Sequence, residues 1–448
     1  MLGKGVTNML LRKKIIDFGY ISKDYEKIIE GYILSKYDNA EKLFKFKDVN
    51  KYLENFGFNH NEIIKMGRDY PEIYAISAET LQKKIDGMKA LGYEEDVVKK
   101  IVKSFPAVLG YDVDSFEEKV EGIKSLGYTR NDALKVLETT PNLFGYDIET
   151  IKEKIKAYKR MRFDEQEILT IAKTFPLFVY DPETIRDRKN ALRKIGFSTK
   201  QIRKITLKNS GIFEMSPEDI KTQFDGIVAL GYKKVEVRKM ILLAPRLMTT
   251  NVDKLWDRLM NIALLGVSEE TVKKMTKSYP TIICVAEETI NEHFNNFISL
   301  EYKEEEAKPM LESSASLLCL SSSTVESKFK NLVDTGYTKD EVKHITIKMP
   351  TIYELSEENI KDRIQYYDSI GLHSIMLKHP KHFMQSTALT YARHMYFESI
   401  GVKIDENNFM KLFCSDKNFV KQYGVDKKTL LEKYDYDEYK ESKKTIKK

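Results

Sequence analysis

Residues 80–114, TLQKKIDGMKALGYEEDVVKKIVKSFPAVLGYDVD, contain one complete copy of a unit that recurs along the chain. The first third carries apolar residues three and four positions apart, which predicts a helix with one apolar face. Gly92 can adopt the positive φ that ends such a helix. A second apolar pattern predicts a helix over 94–104, and Pro106 ends it because proline has no amide N–H to donate. The unit is therefore predicted to be two helices followed by a tight turn.

The glycine and the proline of this unit both recur with a period of about 35 residues, which is typical of a repeat protein. The glycines are Gly57, Gly92, Gly127, Gly196, Gly231, Gly266, Gly336 and Gly371. The prolines are Pro71, Pro106, Pro141, Pro176, Pro245, Pro280 and Pro350. Arg162 and Glu301 replace the glycine in two copies, and Gly211 and Ala315 replace the proline in two others. Two independent series with one period are not expected by chance.

A helix pair of this size cannot bury its own apolar face, so stability must come from stacking of neighbouring copies. We therefore predict an all-α superhelical solenoid of about ten helix-pair repeats. The boundaries predicted from the pattern are N-terminal capping helices over 1–46, the repeat array over 47–415, and a C-terminal cap with a frayed tail over 416–448.

Composition limits the possible functions. The chain has 448 residues and a net charge of +6, from 74 basic and 68 acidic residues, which does not by itself indicate a nucleic-acid-binding protein. The three cysteines, odd in number and far apart, favour a reducing compartment. No apolar run approaches the ~20 residues of a membrane span, so we expect a soluble protein. The basic segment 1–14 is interpreted as a first helix, which favours the cytoplasm, and the alternative is a presequence for mitochondria or another organelle.

The repeat resembles that of the mitochondrial transcription termination factor (mTERF) family. The residues that carry the resemblance are Ala90-Leu91-Gly92-Tyr93 with Phe105-Pro106-Ala107-Val108-Leu109, Ser125-Leu126-Gly127-Tyr128 with Pro141-Asn142-Leu143-Phe144, and Leu264-Leu265-Gly266-Val267 with Tyr279-Pro280-Thr281-Ile282-Ile283. The resemblance covers residues from about 47 to 415. It implies a left-handed superhelix of paired helices that binds double-stranded DNA or structured RNA in a basic groove.

Basic residues recur on one face of the predicted second helices, six and three positions before the proline slot. Ten of the eighteen positions in nine copies are Lys or Arg, against about three expected from the chain average. These ten residues, called the basic columns below, are Lys65, Arg68, Lys100, Lys103, Lys135, Lys173, Lys208, Lys239, Lys274 and Lys277. Such a ladder suits a phosphate backbone, whereas the alternative interpretation is an ordinary solvated helix face.

The other candidate residues favour structural roles. The aromatic residues that follow the glycine slot are predicted to pack between helices rather than to stack on bases; they are Tyr93, Tyr128, Phe163, Phe197, Tyr232 and Tyr337. Cys284 and Cys319 occupy equivalent positions in two turns and are predicted to be core residues. The histidines between 373 and 394 lack the carboxylate or cysteine that would complete a metal site.

No nucleophile–base pair, phosphate loop or paired-acid motif occurs, so we expect neither an enzyme nor a cofactor. The predicted function is non-catalytic binding of double-stranded DNA or structured RNA, in transcription regulation or termination, by a monomer that does not bind a membrane. The alternative is a helical-repeat scaffold whose groove holds a partner peptide or helix.

Overall fold

The computed structural model describes residues 12–21, 23–24, 28 and 39–446. Much of the predicted N-terminal capping segment lies outside the described residues, as do the last two residues of the predicted tail. The described part contains α-helices and 3₁₀ helices and no strand. The chain forms two compact units, Met1–Lys221 and Thr222–Lys448.

In the first unit, each repeat consists of a first helix, a second helix and, in all but repeat 4, a 3₁₀ helix. The first helices of repeats 1 to 5 are Asn39–Asn55, Ala78–Ala90, Val113–Lys124, Ile148–Arg160 and Pro182–Lys194. Their second helices are His60–Asp69, Glu95–Ser104, Arg130–Thr139, Glu165–Ala172 and Thr199–Lys208. The 3₁₀ helices of repeats 1, 2, 3 and 5 are Pro71–Ala75, Pro106–Gly110, Pro141–Gly145 and Ser210–Glu214. Repeat 6 begins with Pro217–Ala229, the helix in which the first unit ends.

The second unit repeats the same order and ends in three extra helices. The second helices of repeats 6 to 10 are Lys234–Leu243, Glu269–Ser278, Glu304–Ser313, Lys339–Lys348 and Ile375–Lys378. The first helices of repeats 7 to 11 are Val252–Leu264, Glu287–Ser299, Ser322–Asp334, Glu357–Ser369 and Thr387–Ser399. The 3₁₀ helices of repeats 6 to 11 are Pro245–Met248, Pro280–Cys284, Ala315–Cys319, Pro350–Glu354, Pro380–Met384 and Phe409–Phe413. The final helices are Asp416–Tyr423, Lys427–Lys433 and Tyr436–Ile446. The prediction of an all-α array of helix pairs is confirmed.

The residues that end and cap the helices adopt the conformations that the sequence predicts. Gly92 has φ of 109°, and the two residues that replace glycine in this slot, Arg162 and Glu301, also have positive φ, 65° and 68°. Ser198 and Gln201 form a reciprocal capping box at the start of their helix. The glycine slot is therefore a backbone conformation that the repeat requires, whichever residue occupies it.

Packing follows the apolar face of each second helix. In Glu95–Ser104, Val98, Ile101 and Val102 are fully buried, while Lys100 and Lys103 lie on the opposite, exposed face. The 3₁₀ helix that follows buries Val108 and Leu109. Burial of each such side chain contributes about 1.5–3 kcal/mol, which an isolated helix pair could not obtain.

A polar side chain on the first helix satisfies the end of the following 3₁₀ helix. Lys84 and Lys119 donate to the carbonyl oxygens of Tyr111 and Tyr146. The same interaction recurs with Arg258 and Ile283 at 3.1 Å and with Lys328 and Tyr353 at 2.6 Å. In repeat 4, where a turn replaces the 3₁₀ helix, Lys154 donates to the carbonyl oxygen of Tyr180 at 3.0 Å. These carbonyls have no partner within their own helix, so the donors stabilise the repeat by about 1.5–3 kcal/mol each.

The end of the chain is helical where a frayed tail is predicted. In Tyr436–Ile446, the hydroxyl of Tyr436 donates to Asp362 at 3.0 Å, and Lys440 pairs with the same carboxylate at 3.4 Å. These long-range partners hold the helix against repeat 10. Within the described part of the chain, none of the helices combines the length and apolarity needed to cross a membrane.

Candidate nucleic-acid interface

All ten residues of the basic columns lie on second helices or directly after one, and nine of them are exposed. Lys173 is half-buried. The two columns share one helix face because their residues are three positions apart. The columns thus occupy repeats 1 to 7, where the cations face solvent while the apolar residues of the second helices face the core.

The residue three positions before the proline slot often reaches back to the preceding repeat. Its partner there is the third residue of the second helix. The pairs are Lys103–Glu62 at 2.5 Å, Lys173–Asp132 at 2.9 Å and Lys277–Glu236 at 3.2 Å. Two of these acids also accept from the backbone at the start of their own helix, Glu62 from Asn59 and Glu236 from Lys233. Part of the column therefore links one repeat to the next, which the sequence pattern does not reveal.

The residues six positions before the slot differ in their partners. Lys100 lies 2.7 Å from Glu138 of the next repeat, and Lys135 lies 2.9 Å from the same carboxylate. Burial alone would raise the pKa of Glu138, but the hydrogen bonds from Lys100 and Lys135 outweigh it and hold the pKa below its usual range. Glu138 is consequently ionised at neutral pH and neutralises part of the column.

Four cations of the columns have no such neighbour. Within the described residues, no carboxylate lies within ion-pair distance of Lys65, Lys208, Lys239 or Lys274. All four are exposed. Arg68, in contrast, pairs with Asp24 at 2.7 Å. The columns therefore combine cations bound to acids with cations that face solvent alone.

Three members of the columns surround one cleft in the first unit. Lys100, Lys135 and Lys173 line a space of about 580 Å³ between the second helices of repeats 2, 3 and 4, and Glu138 lies among them. Its other polar lining residues are Ser104, Thr139, Thr140, Asn142 and Thr174. Hydroxyl, amide and ammonium donors with one carboxylate give this lysine cleft the groups that phosphate oxygens accept from.

The aromatic residues after the glycine slot pack inside the array, as predicted. Tyr93, Phe163 and Tyr232 are buried. The hydroxyl of Tyr93 donates to the carbonyl of Leu134 at 2.7 Å, a residue of the next repeat. Burial raises the pKa of Tyr232, whose hydroxyl lies 2.7 Å from Thr276. These rings join neighbouring repeats and do not offer a surface for stacking on bases.

Cys284 is buried, and Cys319 is half-buried. Burial raises the pKa of the Cys319 thiol to about 12, so neither the location nor the chemistry is that of a nucleophile. Among the described residues, no group of three or more His, Cys, Asp or Glu side chains is arranged to hold a metal ion. His373 instead pairs with Asp368 and stacks on Tyr337, with ring centroids 4.3 Å apart.

Taken together, the stacked helix pairs and their outward cations define a helical-repeat protein with a partly neutralised basic face. A family model of mTERF matches the chain three times, over residues 5–156, 117–263 and 256–420. The protein therefore belongs to the mTERF family. No curated protein matches the chain significantly.

Proposed function

We propose that this protein binds double-stranded nucleic acid without catalysis, through the basic columns of its second helices, and so acts in transcription regulation or termination. The observation that carries the proposal is the lysine cleft, where Lys100, Lys135 and Lys173 of three successive repeats converge on one space. Membership in the mTERF family supports a nucleic-acid-binding, non-enzymatic role.

The ion pairs of the columns are compatible with phosphate binding. Lys100 and Lys103 have side chains 62% and 54% exposed, and exposed ion pairs contribute about 0–1 kcal/mol each. A phosphate that replaces such a carboxylate also releases counterions from the nucleic acid, which favours binding at low salt. The acids therefore lower the affinity for nucleic acid but do not prevent phosphates from contacting the lysines.

The chemistry of the columns favours contact with the backbone over recognition of bases. Lysine ammonium groups are flexible point charges, and phosphate contacts of this kind fix register without reading sequence. We expect affinity to depend strongly on salt and weakly on the sequence of the duplex.

The test compares two variants, one that lacks the column lysines without acidic partners and one that lacks the same number of exposed lysines on first helices. K65Q/K208Q/K239Q/K274Q removes four solvent-facing cations of the columns and breaks no ion pair within the described residues. K221Q/K254Q/K330Q/K361Q removes four exposed lysines from first helices and keeps the same net charge. Fluorescence anisotropy with a labelled random duplex then compares both variants with the parent protein.

We expect the column variant to bind at least about tenfold more weakly, with a log–log salt slope smaller by up to about 4, because each lost phosphate contact removes about one unit. The first-helix variant should bind like the parent. Equal losses in both variants would indicate a nonspecific effect of net charge and would contradict the proposed interface.

A protein-binding scaffold is the second candidate, and one surface favours it. Trp256, Met260 and Leu264 lie four residues apart on the helix Val252–Leu264 and are 50%, 43% and 81% exposed. Three large apolar side chains on one outer helix face are unusual for a surface without a partner. If this face binds a protein, W256A/M260S should abolish that binding and leave duplex affinity unchanged.

A further inference from the structure

Arginine is concentrated in one short part of this lysine-rich chain. The sequence has 14 arginines among its 74 basic residues, and six of them lie between Arg160 and Arg203. Arginine and lysine differ in function, because the planar guanidinium can donate two parallel hydrogen bonds to one phosphate or carboxylate. Net charge alone therefore does not explain why arginine, and not lysine, is concentrated here.

Two of the six arginines have structural partners. Arg188 donates to the carbonyl of Phe213 and lies over the ring of Tyr180, 4.8 Å from its centroid. Arg203 pairs with Asp164 of the preceding repeat. These contacts explain two positions and leave four.

The remaining four arginines line one cleft, called the arginine cleft below. It has a volume of about 480 Å³ and lies between the end of the first helix of repeat 4 and the first helix of repeat 5. Its arginines are Arg160, Arg162, Arg186 and Arg193, and all four are exposed. Its single acidic lining residue, Glu183, pairs with Arg186.

The other three guanidinium groups of the cleft are not neutralised. Arg193 donates to the side-chain oxygen of Asn190 at 2.6 Å, which leaves its charge uncompensated. Within the described residues, no carboxylate lies within ion-pair distance of Arg160, Arg162 or Arg193. The cleft thus holds an excess of three positive charges, in contrast to the lysine cleft, where Glu138 pairs with two of the cations.

An equivalent cleft in the second unit shows that the repeat does not require these arginines. It lies between repeats 7 and 8 and has a volume of about 360 Å³. Residues at equivalent positions in the two clefts are Arg160 and Leu264, Arg162 and Gly266, and Arg186 and Asn291. At these three positions the second cleft has apolar or neutral residues, and its two charged lining residues, Glu304 and Lys308, pair with each other at 3.0 Å. The arginines are therefore specific to repeats 4 and 5.

Arg162 provides an independent indication. It occupies the slot where most repeats have glycine, and it adopts φ of 65°. This left-handed conformation is unfavourable for residues other than glycine because of their Cβ atom. Glu301 has the same conformation, but its carboxylate pairs with Lys339 at 3.0 Å. Arg162 thus combines a strained backbone with a guanidinium that faces the cleft without an acidic partner, and such strain is common at binding sites.

We infer that the arginine cleft is a binding site for linked phosphate groups, separate from the proposed duplex interface. Three uncompensated guanidinium groups around one open cleft match the charge and the oxygen acceptors of two or three adjoining phosphates. Thr199, which lines the cleft, is the first residue of its helix, and Lys208 of the basic columns is the last. The two ends are about 14 Å apart along the helix, so one phosphate group cannot contact both. The phosphates can come from a free nucleotide or from a nucleic-acid strand.

Isothermal titration calorimetry with inorganic tripolyphosphate at low salt tests the site on the full chain. The parent protein should bind one equivalent, and R160Q/R162G/R193Q should bind at least about tenfold more weakly. K152Q/K156Q/K194Q, which removes three exposed lysines from the same two first helices, should retain the affinity of the parent. R162G alone, which relieves the left-handed backbone and therefore folds, should weaken binding severalfold.

K65Q/K208Q/K239Q/K274Q, which alters only the basic columns, should retain tripolyphosphate binding, so that failure of the duplex proposal and failure of this one are distinguishable. Titrations with ATP and with a single-stranded oligonucleotide then identify the source of the phosphates, because the arginine variant weakens whichever ligand uses the cleft. Absence of saturable tripolyphosphate binding, or an equal loss in the lysine variant, would overturn the inference.

Discussion

Replacement of Glu138 by glutamine should strengthen duplex binding, although it removes two ion pairs. The carboxylate lies 2.7 Å from the ammonium of Lys100 and 2.9 Å from that of Lys135, and its side chain is only 14% exposed. It therefore occupies the position from which a phosphate would contact either lysine. Glutamine has the same shape and no charge, so E138Q frees both cations without opening a cavity.

The magnitude follows from the geometry. A phosphate bound on the outer side of either ammonium lies about 6 Å from the Glu138 carboxylate, given hydrogen-bond lengths of about 2.8 Å. The repulsion at that distance is about 0.7 kcal/mol at the dielectric constant of water and about 1.4 kcal/mol at half that value. Removal of the charge should therefore raise affinity about three- to tenfold. The two lost ion pairs should cost up to about 2 kcal/mol of stability in total.

Anisotropy titration of a random duplex at three or more salt concentrations measures both the affinity and the salt slope. E138Q should give a lower Kd and a steeper slope, because two more ammonium groups are available to phosphates. E153Q is the matched control, since Glu153 also pairs with a lysine, Lys156, but lies on a first helix. Unchanged or weaker binding by E138Q, or an equal gain in E153Q, would show that Glu138 does not compete with phosphates for Lys100 and Lys135.

Three further predictions concern stability and can be checked by urea unfolding followed by circular dichroism. K328M should destabilise the protein by about 1–3 kcal/mol, because it leaves the Tyr353 carbonyl without a donor, whereas K330Q on the exposed face of the same helix should be neutral. R162G should stabilise it by about 0.5–1 kcal/mol, since relief of the left-handed backbone exceeds the entropy that glycine adds to the unfolded chain. The parent should be more stable than E138Q above the ordinary glutamate pKa of 4.5, and this difference in the free energy of unfolding should disappear as pH falls toward 3, because the Glu138 pKa is lowered in the folded state. A stability difference that persists at pH 3 would contradict this prediction.

The periodic features of the fold could be predicted because each depends on a local backbone requirement. The slot at Gly92 requires positive φ, and Pro106 ends a helix in any context, so their spacing alone indicates the repeat. Even the exceptions were predictable, since Arg162 and Glu301 adopt the conformation of the glycine that they replace. The helix at Tyr436–Ile446 was not, because its stability depends on Asp362, 74 residues away.

The candidate site could be predicted only in part. Helical periodicity correctly places the basic columns on an exposed face, but the ion pair of Lys100 with Glu138 joins residues 38 positions apart and depends on how repeats stack. The donors on the first helices could have been recognised in the sequence, since Lys84, Lys119 and Lys154 recur at intervals of 35 residues. The arginine cleft could also have been suspected from the sequence, because arginine is concentrated between Arg160 and Arg203.

The salt dependence of duplex binding by the parent protein shows whether the second helices bind a phosphate backbone. Binding to a random duplex should weaken linearly on a log–log plot, with a slope of about −0.9 for each phosphate contacted, so four or more contacts give a slope of about −3.6 or steeper. Absence of duplex binding at low salt, or binding that is insensitive to salt, would rule out phosphate contacts by the second helices and favour the protein scaffold.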